Sequence, residues 1–165
     1  MQDALASGIG KAILQQGESF FLYDFKQCQH AFIEACKAYS GDKIHRFYPL
    51  QDSPDNKDNT VLGTDTVWLG PLDAEQVLIF ISGTHGVEGY CGSAIQQFYL
   101  SQLRSELLPE NTAILMIHSL NPWGMQWARR CDISGIDLNR NFVDYQNVEA
   151  LDPEYDAILT TLMKQ

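Results

Sequence analysis

The sequence contains few basic residues for its length. Lysine and arginine together number 11, against 21 aspartate and glutamate residues, which gives a net charge of -10 at neutral pH. A protein that binds nucleic-acid phosphates or an anionic membrane surface needs a basic face, because the attraction is largely electrostatic. We therefore expect neither a nucleic-acid partner nor a membrane partner, and we interpret the charge as that of an acidic, solvated surface.

Long apolar runs and paired cysteines are absent as well. No apolar stretch approaches the roughly 20 residues that cross a membrane. The first residues, MQDALASGIGKAILQQ, lack the basic start and long apolar stretch of a signal peptide. The cysteines, Cys28, Cys36, Cys91 and Cys131, form no CxxC pair, and the first two would lie about two turns apart on one helix, beyond disulfide reach. These features predict a cytoplasmic, reducing location.

The length and composition are those of one compact domain. With 165 residues, 45% of them hydrophobic, the chain is long enough for a substantial core, so we expect a single domain over residues 1–165. Apolar residues recur at helical spacing from Asp24 to about Tyr39, with Asp24 as the N-cap and Gly41 at the far end. Two short strands, HRFYPL and TDTVWL, are predicted on either side of an exposed loop, QDSPDNKDNT.

A strand, a helix and a second strand follow in the middle of the chain. The run QVLIFIS at residues 76–82 is apolar at consecutive positions, which predicts a central strand buried on both faces. Helical spacing from Val87 to about Leu103 and another apolar run, Thr112–His118, complete a unit long enough for a crossover between parallel strands. These elements predict an α/β fold: a doubly wound, mostly parallel or mixed sheet with helices on both faces. A last helix is predicted over Pro153–Met163.

The peptide GTHGVEGYCGS begins where the QVLIFIS strand ends. Ligands of open α/β sheets bind beyond the carboxyl ends of the strands, so His85 and Glu88 are expected at the binding edge. Their i, i+3 spacing at the start of a helix lets an imidazole and a carboxylate converge on one metal ion, and this donor pair suits zinc. The alternative is that the pair is only a hydrogen-bonded helix cap.

A second group of polar residues lies in the peptide GIDLNRNF. Arg140 can bind a carboxylate bidentately, and the amide of Asn139 can donate beside it, so the two predict a receptor for a free carboxylate. The upstream pair Arg129–Arg130 offers another guanidinium that could hold an oxyanion. The alternative is that Arg140 forms a structural ion pair with Asp137 or Asp144.

These peptides together resemble a known superfamily. SGTHGVEGYCGSAIQ, followed by NPWG, ARR and GIDLNRNF, resembles the zinc carboxypeptidases over roughly residues 24–145, and most closely a bacterial branch long described as a domain of unknown function. The related aspartoacylases and succinylglutamate desuccinylases are similar at the same points. The resemblance therefore implies a carboxypeptidase-like fold and a zinc-dependent hydrolase that acts on a small peptide or an N-acyl amino acid with a free carboxylate.

The resemblance also implies roles for individual residues. His85 and Glu88 would be two of three zinc ligands, and Asn139 and Arg140 would bind the substrate carboxylate. An arginine of the ARR peptide would stabilise the oxyanion, and we favour Arg130 over Arg129 for this role.

Two parts of the family's active site are expected elsewhere. The third ligand, a histidine, and the glutamate that acts as general base lie downstream in the family, beyond residue 165. We therefore expect an incomplete N-terminal part of a catalytic domain, with the alternative of an inactive domain that binds a carboxylate or a metal ion without turnover. An incomplete sheet would leave surface uncovered, so homo-oligomers through that surface are expected.

Other residues offer alternative chemistry. His118 ends a predicted strand and would either supply a third nitrogen ligand or hydrogen-bond the loop that follows. Cys91 could act as a nucleophile with His85 as its base; such a site would be blocked by thiol alkylation and indifferent to chelators. His30 and His45 are interpreted as surface or packing residues.

Overall fold

The computed structural model describes residues 17–50 and 61–142. The predicted loop at residues 51–60 and the predicted helix Pro153–Met163 lie outside these ranges. The described elements are, in chain order, α1 (Phe25–Ala38), β1 (Lys43–Pro49), β2 (Gly63–Leu69), β3 (Gln76–Ile81), α2 (Gly86–Gln102), a single 3₁₀ turn (Ser105–Leu107), β4 (Thr112–His118) and α3 (Pro122–Trp127). Within these ranges no helix is both long and apolar enough to span a membrane.

The strands form one mixed sheet with the order β1-β2-β4-β3. β1 and β2 are antiparallel, and so are β2 and β4, whereas β3 and β4 are parallel. The parallel pair is connected through α2, as the strand, helix and strand pattern predicts. The α/β fold with a mixed sheet is thereby confirmed, and the carboxyl ends of β3 and β4 lie side by side.

The main core lies between one face of the sheet and the helices α1 and α2. Its buried members are Phe32, Cys36, Tyr39, Val67, Leu69, Leu100, Ile114 and Met116. A smaller cluster connects α1 to α3 through Phe25, Cys28 and Met125. In the described residues, α1 and α2 pack on this face of the sheet. The helices predicted for the other face are not found among the described residues.

Helix α1 begins as its sequence predicts. The carboxylate of Asp24 accepts a hydrogen bond of 2.9 Å from the backbone amide of Gln27, which satisfies one of the free donors of the first turn. The helix ends at Ala38, and Tyr39 has an extended backbone, so the chain leaves the helix before the predicted Gly41.

The prediction that residues 76–82 form a central strand buried on both faces is wrong for the described part of the sheet. β3 stands at the end of the strand order, and Ile79 and Ile81 are 54% and 53% exposed. An apolar run predicts that a strand has an apolar environment, but it carries no information about which strands lie next to it.

His118 ends β4 inside the core rather than at the edge of the sheet. Its ring is fully buried, is stacked on Phe32 at 4.5 Å between ring centres, and its Nε2 lies 2.9 Å from the hydroxyl of Ser93. Its Nδ1 has no hydrogen-bond partner among the described residues. Burial lowers the pKa of His118 from its ordinary value of 6.5 to about 4, because the charged ring would lose its hydration.

This buried histidine should make stability fall in mild acid. As the pH drops from 6.5 to 4, the unfolded chain takes up a proton at His118 that the folded chain does not accept. The stability that the neutral His118 ring contributes above pH 6.5 is therefore progressively lost. We expect a loss of about 3 kcal/mol across this window. Denaturant unfolding at several pH values should show that His118→Gln removes this part of the pH dependence. The exposed His30→Gln is the control, and equal pH slopes in all three proteins would contradict the assignment.

Candidate functional site

The chain segments that follow β3 and β4 run together at one edge of the sheet. The amides of Leu120 and Asn121 donate to the carbonyls of Ser82 and Gly83 at 2.9 and 2.8 Å. Gly83 has a φ of 70°, and a Cβ there would lie 2.9 Å from the Cα of Ser119. The close approach of the two strand ends therefore depends on glycine at this position.

His85 and Glu88 lie at the start of α2, immediately after this crossing. His85 is the N-cap residue and is buried except for 9% of its surface, whereas the side chain of Glu88 is 72% exposed. The Nδ1 atom of His85 and the Oε2 atom of Glu88 are 3.3 Å apart. The i, i+3 spacing thus brings the two predicted metal donors together.

The NPWG peptide brings the arginine pair next to this helix start. The side-chain oxygen of Asn121 accepts from the amide of Gly124 at 2.8 Å and so caps α3. The carbonyl of Gly124 then accepts from the amide of Arg129 at 2.8 Å, and the carbonyl of Arg129 accepts from the amide of Gly86 at 3.0 Å. A backbone chain of hydrogen bonds therefore connects the cap of α3 to the first residue of α2.

A tight turn after the arginines sets the position of Asp137. The carboxylate of Asp132 accepts from the amides of Ser134 and Ile136 at 2.9 and 2.8 Å, and Gly135 turns the chain with a φ of 81°. The turn directs the next residue back toward α2.

Asp137 is the centre of the site. One carboxylate oxygen lies 2.9 Å from Nε2 of His85 and accepts from the amide of Asn139 at 2.9 Å, and the other accepts from Nε of Arg130 at 2.9 Å. The hydrogen bond from His85, with smaller contributions from Asn139 and Arg130, lowers the pKa of Asp137 to about 2. The carboxylate is therefore ionised at neutral pH, and its stabilising effect is lost only as the pH falls from the ordinary range toward 2.

The two nitrogens of His85 have different surroundings as a result. Because ionised Asp137 only accepts, Nε2 must carry a proton, and in a neutral ring Nδ1 is then an acceptor that faces the carboxylate of Glu88. Two acceptors 3.3 Å apart repel unless a proton or a cation lies between them. Two carboxylates, Glu88 and Asp137, face the ring of His85 directly, and the Arg130 guanidinium lies behind Asp137, so the position between Nδ1 and Glu88 suits a cation.

Sequence reasoning missed this role of Asp137. It considered Asp137 only as an ion-pair partner of Arg140, and that alternative is wrong, because the carboxylate pairs with Arg130. Arg140 donates its backbone amide to the carbonyl of Asp137 and its guanidinium to the carbonyl of Asn139, both at 2.9 Å. The signal available in the sequence was an aspartate two residues before the asparagine of the same peptide.

The predicted substrate residues occupy the rim. Asn139 and Arg140 are exposed, and Arg130 uses its Nε for Asp137, which leaves its two terminal amino groups without a partner in residues 17–50 and 61–142. Arg129 contacts the site through its backbone carbonyl, which accepts from the amide of Gly86, and its side chain is exposed. The second proposed partner of Arg140, Asp144, lies outside the described residues.

A family model matches most of this chain. It covers residues 21–165 and is described as a protein of unknown function, DUF2817. The chain belongs to the DUF2817 family. Neither the curated proteins nor the solved structures contain a match.

Neither His118 nor Cys91 takes part in the candidate site of this DUF2817 chain in the way that its sequence position suggested. His118 contacts Ser93 in the core, so it neither reaches the site nor binds the following loop. Cys91 is exposed on α2, but both ring nitrogens of His85 lie against carboxylates, and neither has a hydrogen bond to the thiol. The geometry therefore favours a cation over a cysteine nucleophile.

Two side chains at the start of α2 are of the kinds that bind zinc. Across the described ranges no group of three or more histidine, cysteine, aspartate or glutamate side chains could hold a metal ion. His85 and Glu88 supply a nitrogen and an oxygen, which suit zinc in kind, and Asp137 supplies the outer hydrogen bond that zinc-binding histidines commonly make. The residues present therefore fit two protein positions of a zinc site.

Proposed function

We propose that this chain carries part of the active site of a zinc-dependent hydrolase that cleaves an amide bond next to a free carboxylate. The observation that supports the proposal most strongly is the orientation of His85, whose Nε2 is held by Asp137 while Nδ1 faces Glu88. A hydrogen-bonded helix cap does not require a second carboxylate behind the ring. Metal-binding histidines commonly donate their other ring N–H to such a group, which fixes both the tautomer and the ring orientation.

In this proposal His85 and Glu88 hold the ion. The chemistry that zinc supplies when bound is Lewis acidity toward a carbonyl group and toward water. Asp137 would keep the proton on Nε2, which leaves the lone pair of Nδ1 available to the ion. The same carboxylate holds the guanidinium of Arg130 through Nε, which places a fixed positive charge beside His85.

The arginines are assigned different tasks. Arg130 is bound to Asp137 through Nε, so its terminal amino groups could hold the oxyanion that forms from the amide carbonyl. Arg140 is exposed at the rim and has no carboxylate partner in the described ranges, so it is available for the carboxylate of a substrate, with Asn139 beside it. We propose a small peptide or an N-acyl amino acid as the substrate.

The carboxylate receptor can be tested by binding alone. An N-acetyl amino acid should bind the zinc-loaded chain, and Arg140→Gln should weaken that binding by about 10–100-fold, because a charge-assisted hydrogen bond is lost. The corresponding amide, which lacks the free carboxylate, should bind the parent chain more weakly than the acid by a similar factor. Calorimetry would measure all three affinities.

Arg104→Gln provides the matched control, since Arg104 is also exposed but follows the far end of α2. Equal affinity of the acid and the amide, or equal losses in both arginine variants, would refute the assignment of Arg140.

A second candidate function is binding of a carboxylate ligand or a metal ion without turnover. It is favoured by the finding that the described residues offer two protein donors and no group of three. Product formation from an N-acyl amino acid distinguishes the two candidates. If hydrolysis occurs, a chelator should stop it and alkylation of Cys91 should not; binding without product would favour the second candidate.

A further inference from the structure

Asp132 closes a short loop in the candidate site. One of its carboxylate oxygens accepts hydrogen bonds from the backbone amides of Ser134 and Ile136, at 2.9 and 2.8 Å. Its own amide donates to the carbonyl of Ile136 at 2.9 Å, and its carbonyl accepts from the amide of Gly135 at 3.0 Å. These hydrogen bonds join residues 132–136 into one closed turn, which we call the site loop.

The site loop connects two residues whose side chains pair. Arg130 lies two positions before the loop and Asp137 directly follows it, and Nε of Arg130 donates to the carboxylate of Asp137 at 2.9 Å. The chain before the loop is held by the carbonyl of Arg129, which accepts from the amide of Gly86 at 3.0 Å. Since this contact fixes where the loop begins, the conformation of the loop determines where Asp137 lies relative to His85.

The carboxylate of Asp132 restricts a segment that would otherwise be loose. Ser134 and Gly135 are exposed, and glycine, here with a φ of 81°, has more conformational freedom in an unfolded chain than any other residue. Without the carboxylate, the two amides that it binds would bond to water instead, and the loop could adopt several conformations. Asp137 would then occupy a range of positions, although its contact with Nε2 of His85 requires a separation of 2.9 Å.

We infer that Asp132 is a positioning residue of this site: it holds the loop that presents Asp137, and through Asp137 it fixes the ring of His85. The inference rests on the proposed function, in which the orientation of that ring serves metal binding. Both hydrogen bonds that the Asp132 carboxylate makes within residues 17–50 and 61–142 go to amides of its own loop. Its task is to accept hydrogen bonds, which asparagine can also do, because both side chains form this kind of turn.

The first test observes His85 in the metal-free chain. Long-range ¹H–¹⁵N NMR in weakly alkaline solution should show one tautomer in the parent chain, with the proton on Nε2. Asp132→Ala should show a mixture of the two tautomers, because Asp137 is no longer held against Nε2, and Asp132→Asn should restore the parental spectrum. Asp24→Ala is the matched control: it also removes a carboxylate that accepts from a backbone amide at 2.9 Å, but at the start of α1. Its His85 signals should equal those of the parent chain.

Zinc affinity is the second readout. We expect Asp132→Ala to bind zinc about 3–10-fold more weakly than the parent chain, a smaller loss than replacement of Asp137 itself should cause, because Asp132 acts only through that residue. Asp132→Asn and Asp24→Ala should bind zinc like the parent chain. If the parent chain binds no zinc, the proposed function fails, whereas the spectra of the metal-free chain still decide whether Asp132 positions His85.

The variants also define the results that overturn the assignment. A parental His85 spectrum in folded Asp132→Ala would show that the loop does not position Asp137. Equal changes in Asp132→Ala and Asp132→Asn would show that the charge acts rather than the hydrogen bonds, and equal changes in Asp24→Ala would show a general loss of stability. If circular dichroism shows that Asp132→Ala is unfolded, Gly135→Ala replaces it, because a side chain is strained at a φ of 81° in the same loop. A parental His85 spectrum in that variant would overturn the assignment equally.

Discussion

Alanine in place of Gly86 should lower the free energy of unfolding by about 3 kcal/mol, at the upper end of the usual cost of overpacking. A Cβ at this position would overlap the carbonyl group of Gly124 and would lie 2.5 Å from the carbonyl oxygen of Arg129. Both are backbone groups, so no change of rotamer can relieve the overlap. The melting temperature should fall by about 10 °C.

The effect should extend to the candidate site, because the amide of Gly86 donates to the carbonyl of Arg129. Separating these groups would move His85 away from the segment that carries Arg130 and Asp137. Gly17→Ala is the control, since a Cβ there meets nothing within 4 Å, and its stability should stay within about 0.5 kcal/mol of the parent. Parent-like melting of Gly86→Ala would show that the two segments are not in contact.

Loss of zinc binding in His85→Ala and Glu88→Ala is the second large expected effect. Each variant removes one of the two proposed donors, and a site with two protein donors is weak to begin with, so we expect no measurable binding in either. Asp137→Asn should retain the donors but lose the fixed ring orientation, with an affinity about 10–100-fold below that of the parent chain. Competition with a zinc-sensitive dye would rank the proteins.

His30→Ala and Glu110→Ala match the two donor variants in residue type, and Glu110 is exposed like Glu88, so both should bind zinc like the parent chain. A ranking in which these controls lose as much zinc as the site variants would mean that binding is unspecific. Parent-like binding in His85→Ala would remove His85 from the proposal.

Much of the fold could be predicted because its signals are local. The helical spacing that begins at Asp24 gave α1 with its cap, and the consecutive apolar residues gave β3 and β4 with bounds close to those observed. Sheet order is not local. Whether β3 lies in the centre or at the end depends on contacts with strands distant in sequence, and the apolar run is the same in both cases.

Helix α3 was missed for a different reason. It has six residues, Pro122–Trp127, which is less than two turns and too short for a helical period to be recognised. Its signal was in the cap instead: Asn121 as the N-cap followed by Pro122 at the first position. In the sequence, the NPWG peptide served only as one of the motifs shared with the zinc carboxypeptidases. Its physical role is to start this helix and to position Arg129.

The candidate site was predictable in its parts but not in its centre. The approach of His85 to Glu88 follows from their spacing on α2. The contact of His85 with Asp137 joins residues 52 positions apart and depends on the turn closed by Asp132, which no local pattern specifies. The same limit applies to His45, expected as a surface or packing residue, whose Nε2 lies 2.6 Å from the buried carboxylate of Asp65.

We propose that Nδ1 of His85 binds a metal ion and that Asp137 holds the proton on Nε2. Long-range ¹H–¹⁵N NMR of the histidine rings, recorded before and after one equivalent of zinc, tests it directly. We predict that zinc shifts the Nδ1 resonance of His85 to a metal-bound value, that Nε2 keeps its proton, and that the buried His118 ring is unchanged. A zinc-induced shift at Nε2, or no shift at either nitrogen of His85, would contradict the account.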